Sequence, residues 1–130
     1  SRGEVSGNAI EGARMSAILV TPEYWWLEAG SSSDVQITGN RIRACGGIPI
    51  LVEAQAGNGK IAPAGAHRNL TITGNTVSDC AMPGIVVTST AGLKLAGNRL
   101  DLRPAGHLPG ILRQAGLNEA QPVMEIHCTR

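Results

Sequence analysis

The chain has no phenylalanine, and its whole aromatic content is Tyr24, Trp25 and Trp26. Helices packed around aromatic cores are therefore a poor fit. Glycine, at 17 residues, suits short strands joined by many turns. Charge of one sign is lacking too. The net charge is +1, so the chain has no electrostatic footprint for nucleic acid. No run of 18 apolar residues occurs, which excludes a transmembrane helix. The first residue is Ser1, and nothing near it reads as a signal peptide. The chain is expected to be processed, tagged or cut from a longer one.

Cysteine is scarce. Three residues leave one over if two pair, and no Cys-x-x-Cys occurs, so a zinc ribbon is not indicated. Cys45 and Cys80 each follow a Gly-Asn pair by five residues, which reads as two buried thiols stacked on neighbouring strands. His67, His107 and His127 lie in unrelated phases. No metal cluster and no cofactor follow from them.

What the chain does have is a repeat. "VSGN", "ITGN", "ITGN" and "LAGN" end at Asn8, Asn40, Asn75 and Asn98. Three positions before each asparagine stand Val5, Ile37, Ile72 and Leu95. Two after come Ile10, Ile42, Val77 and Leu100. Ten after come Ile18, Ile50 and Ile85, and twelve after come Val20, Val52 and Val87. Spacings of two are strand periodicity. Each unit reads as strand, Gly-Asn turn, strand, small-residue corner, strand. The asparagines lie 32, 35 and 23 residues apart. The shortest interval is a bare coil. The longer two carry extensions at one and the same phase, Thr21–Ser33 and Glu53–Arg68.

A unit of this kind predicts an all-β parallel β-helix of about four coils. A leucine-rich repeat would need an L-x-x-L-x-L run that is absent, and a β-sandwich would not hold one phase across four units. Glycine before each asparagine supplies a turn position free of Cβ strain. The four asparagines are expected to form an internal ladder, each amide bonded to the next. Residues 1–103 are assigned to the coils. Residues 104–130, with Gly110–Ala120 as a short helix and "VMEIHC" as a last strand, are assigned to an irregular C-terminal cap.

The same-phase extensions should stand side by side and wall a groove. The first holds Tyr24, Trp25, Trp26, Glu23 and Glu28; the second holds Glu53, Lys60, His67 and Arg68. Aromatic faces stack on the C–H face of a pyranose, and paired carboxylates serve as acid and base in glycoside cleavage. Tyr24, Trp25, Trp26, Glu28, Lys60 and His67 are therefore the candidate sugar contacts, with Glu28 and Glu53 as candidate catalytic carboxylates. Packing of either Trp on the coil wall, a backbone hydrogen bond for Glu28, and a plain outward position for Glu53 (in phase with Thr21 and Thr88) are the competing readings. "AGNGK" at Ala56–Lys60 lacks the first glycine and final Ser/Thr of a phosphate loop. The sequon at Asn69–Thr71 is set in a core strand.

The pattern I-x-G-N-x-I-x-x-C-x-x-x-x-I-x-V resembles the right-handed parallel β-helix repeat of pectate-lyase-like proteins, from Val5 to about Pro104. "YWWLEAGSSSDVQITGNRI" resembles the C-terminal part of β-helix α-1,3-galactosidases, glycoside hydrolase family 110, with Trp26 and Glu28 at the matching positions. That family also carries adjacent aspartates upstream, and this chain has no Asp-Asp pair. The resemblance implies a carbohydrate-associated module, part of or derived from a glycoside-processing enzyme. It would be extracytoplasmic if it processes carbohydrate. The alternative is a non-catalytic structural or self-assembling module. Carbohydrate is the expected partner, without nucleic acid or membrane. The raw first coil predicts a homo-oligomer, head to head, unless the chain is a fragment of a longer one.

Overall fold

The computed structural model describes residues 2–21, 32–54, 60–104 and 110–130. Four coils of three strands each follow one another along the chain. They are β1 (Gly3–Ser6), β2 (Ala9–Glu11) and β3 (Ile18–Val20); β4 (Ser33–Thr38), β5 (Arg41–Arg43) and β6 (Ile50–Val52); β7 (His67–Thr73), β8 (Thr76–Ala81) and β9 (Ile85–Thr88); and β10 (Thr90–Ala96), β11 (Arg99–Arg103) and β12 (Val123–Ile126). A short helix, α1 (Gly110–Gln114), lies between β11 and β12. Every strand pairs in parallel with its equivalent one coil away, giving three four-stranded sheets: β1-β4-β7-β10, β2-β5-β8-β11 and β3-β6-β9-β12.

The register is the one the repeat dictates. Val5, Ile37, Ile72 and Leu95 are direct neighbours in the first sheet. Ile10, Ile42, Val77 and Leu100 are neighbours in the second, and Ile18, Ile50 and Ile85 in the third. These rows point inward because successive side chains in a strand alternate between faces. The interior is one apolar column, with Ile37, Ile50, Ile72, Val77 and Ile85 wholly buried. Slipping any strand by one residue would expose its row, so the pairing is strongly fixed.

The Gly-Asn corner works as a pair. Gly7, Gly39, Gly74 and Gly97 all take φ between +64° and +67°, where a side chain would be strained. The asparagine that follows turns inward. Asn8 donates from its backbone N–H and its Nδ2 to Oδ1 of Asn40, at 3.0 Å each. Asn40 donates likewise to Asn75 (3.0 and 2.9 Å), and Asn75 to Asn98 (3.0 and 2.9 Å). The second amide proton goes to a backbone carbonyl: Asn40 to Val5, Asn75 to Ile37 and Asn98 to Ile72, all at 2.9 Å. Asn40 and Asn75 are fully buried yet fully satisfied.

Cys45 and Cys80 stack as expected, with the Cys45 backbone N–H 3.3 Å from the Cys80 Sγ. Both thiols are buried and donate to carbonyls, Cys45 to Met15 and Cys80 to Ser78 at 2.6 and 3.1 Å. Burial pushes the Cys45 thiol above its ordinary value, which suits a structural rather than a reactive group.

Three features differ from the sequence reading. First, Ser33, His67 and Arg68 belong to strands, not to the extensions. Their apolar alternation is interrupted by Asp34 and Asn69, each at φ 55°. Ser33 still pairs with Arg68 and Val35 with Leu70 on either side of that interruption, so the register is kept and the same left-handed residue recurs on adjacent coils. Second, α1 lies against the side of the stack. Leu112 of α1 packs with Val86, Met124, Ile126 and Ile48 on the outer face of the third sheet, and β12 completes the fourth coil. Third, Thr88 is buried rather than outward. Ala54 and Ala62, joined by a 2.9 Å backbone hydrogen bond, lie over that corner and accept from Ser89 Oγ.

Candidate functional site

Only part of the sequence-predicted site can be placed. Tyr24, Trp25, Trp26 and Glu28 lie outside the described residues. Lys60 is exposed on the second extension. His67 is not available to a ligand: its ring is 1% exposed, and Nε2 donates to the backbone oxygen of Glu53 at 2.9 Å. A carbonyl can only accept, so this contact fixes the proton on Nε2. Nδ1 is buried and has no hydrogen-bond partner among the described residues. His67 therefore ties the base of the second extension to the coil. The ring is thus enclosed rather than presented on an extension, unlike the sugar contact expected from the sequence. Glu53 is half-buried at the same corner, and desolvation raises its carboxyl above the usual range.

The structure brings a different set together. On the outward face of the first sheet, Arg2, Gly3, Glu4, Asp34, Gln36, Asn69 and Thr71 line an open groove of about 520 Å³. This is within the range of small-ligand sites. The groove spans three coils. Glu4, Gln36 and Thr71 are direct neighbours in one outward row, continued by Lys94 on the fourth coil. Asp34 and Asn69 form a second row, set by their left-handed backbone. Asn69 Nδ2 donates to Asp34 Oδ1 at 3.1 Å, and Ser6 Oγ donates to Glu4 Oε1 at 2.8 Å. Each carboxylate thus has one oxygen held by a neighbouring donor.

Gly92 continues the second row at φ 77°, a backbone conformation in which a side chain is strained. A Cβ there would meet Asn69 Oδ1 at 2.8 Å. The row was visible in the sequence as a phase: Arg2, Asp34, Asn69 and Gly92 each stand six residues before a ladder asparagine. That signal was missed because these positions share no residue type. The groove also lies where the first extension returns to the coil, since Ser32 leads directly into β4 and bonds the Arg68 N–H at 3.0 Å.

Among the described residues no three or more potential metal ligands cluster, and no helix is long and apolar enough to cross a membrane. The family described as "Right handed beta helix region" matches residues 1–100. The chain belongs to that family. The four stacked coils are thus a right-handed β-helix. No curated protein and no solved structure matches the chain. The narrower likeness to α-1,3-galactosidases gains no support from these comparisons.

Proposed function

We propose that this right-handed β-helix is a carbohydrate-binding module whose site is the outward groove of the first sheet. One observation carries the reading: carboxylates, amides and a hydroxyl from three adjacent coils converge on one open cavity. Such a set offers many hydrogen-bond donors and acceptors on a flat surface, which is what a polyhydroxylated ligand requires. Adjacent coils are about 4.8 Å apart, so three coils can accommodate roughly two or three sugar rings along the axis. Trp25 and Trp26 lie in the sequence between Thr21 and Ser32, and aromatic rings are the side chains that stack on a pyranose.

The test is electrophoresis of the chain through gels containing galactan, glucan, mannan or xylan. At least one polysaccharide should retard the wild type, and Asp34→Ala should migrate as in a blank gel. Unretarded wild type in every gel would contradict the reading. Product analysis by mass spectrometry after long incubation separates binding from cleavage.

A further inference from the structure

The charges of the groove say which sugars it takes. Its lining includes two carboxylates, Glu4 and Asp34, against one guanidinium, Arg2. The carboxylates sit on adjacent coils, and each is already steadied by one donor, Ser6 or Asn69. Their remaining oxygens are acceptors for hydroxyl or ammonium protons. The other lining side chains, Gln36, Asn69 and Thr71, carry no charge. Lys94 lies in the same outward row but on the fourth coil, beyond the groove.

A ligand carboxylate or sulfate placed over Gln36 would face like charge from Glu4 on the first coil and from Asp34 on its own coil. A neutral hydroxyl there would accept from the amide and donate to either carboxylate. We infer that the groove selects neutral or amino sugars and rejects uronic acids and sulfated glycans. The inference rests on the carbohydrate reading above and narrows it.

Like charges in contact oppose binding, and at an exposed face the effect is screened by salt. Uronate ligands should therefore bind about tenfold more weakly than neutral ones at low salt, a gap that narrows at high salt. The experiment is an array of trisaccharides in gluco, galacto and manno series, each in neutral, amino and uronate form. It is probed with the wild-type chain and with Glu4→Gln/Asp34→Asn, whose fold is checked by circular dichroism. The expected result is retention of neutral or amino members, with the uronate-to-neutral ratio rising about tenfold in the double variant. Preference of the wild type for uronates, or an unchanged ratio in the variant, overturns the charge selection while leaving carbohydrate binding intact. Retention of no glycan at all overturns the carbohydrate reading and this inference with it.

Discussion

At the scale of single residues, the asparagine ladder is where chemistry and fold coincide. An amide is a costly group to bury, and this one is buried because every proton and lone pair in the middle of the ladder is used. Replacing Asn75 by Ala would strand the Asn40 N–H and one of its Nδ2 protons, remove the amide donor to Ile37 O, and leave Asn98 Oδ1 with only the backbone N–H of residue 75. A buried unsatisfied group costs about 1–3 kcal/mol, so the loss should reach the upper part of that range. Asn8→Ala, at the edge, should cost less than half as much. Urea unfolding of both variants checks the order, and equal losses would mean that the ladder is not a buried unit. Its pattern was legible because the same two residue types recur at one phase. The groove residues were not, because their phase is shared by an Arg, an Asp, an Asn and a Gly. What aligns them is a left-handed backbone at Asp34, Asn69 and Gly92, a local conformation without a single sequence signature.

At the scale of elements, the inward rows were readable from Val, Ile and Leu at spacings of two, and all four aligned apolar positions fall in register. The helix after residue 104 was foreseen, but its docking place was not. Leu51, Val86 and Met124, neighbours in one outward row, are what receive it, and that row looks like ordinary strand content unless its partner is known. The second extension shows the same limit. Its base is clamped by Ser89 Oγ to Ala62 O at 2.6 Å, by His127 Nδ1 to Ala62 O at 3.2 Å and by His67 to Glu53 O. Burial of Glu53 at this clamp has a pH consequence. Its folded carboxyl value is raised, so the folded chain holds the proton more tightly than the unfolded chain. Its contribution to stability is fully present below the unfolded value and is lost as pH rises through the folded one. Glu53→Gln should therefore stabilise the chain at pH 7 and do little at pH 3.5. A gain of the same size at both values would remove desolvation as the cause.

At the scale of the whole molecule, the solenoid has two unlike ends. The first coil presents Met15, 77% exposed, and Leu19, 52% exposed, with Val5, Ile10 and Val20 half-buried. Asn8 Oδ1 accepts no bond among the described residues, while the Asn98 end offers a backbone N–H. The ladder is therefore polar. Two copies meeting first coil to first coil would bring these like acceptors together. Stacking first coil to last is opposed in turn by Glu125, which occupies the inward row of Val20, Val52 and Val87 and is bound by Arg130. An inward charge on an edge strand blocks such pairing. Glu125→Val should release it, giving concentration-dependent association in sedimentation where the wild type shows less. Equal behaviour of the two chains would remove Glu125 as the barrier.

The central claim is that the outward face of the first sheet, not the buried corner at His67, meets the ligand. The most direct measurement is a nuclear magnetic resonance titration of the isotope-labelled chain with a fragment of the polysaccharide that retards it in the gel. The account predicts shifts concentrated at Glu4, Asp34, Gln36, Asn69 and Thr71, with His67 and Ser89 unmoved. Shifts confined to the third sheet or to the His67 corner, with the groove residues silent, would contradict it.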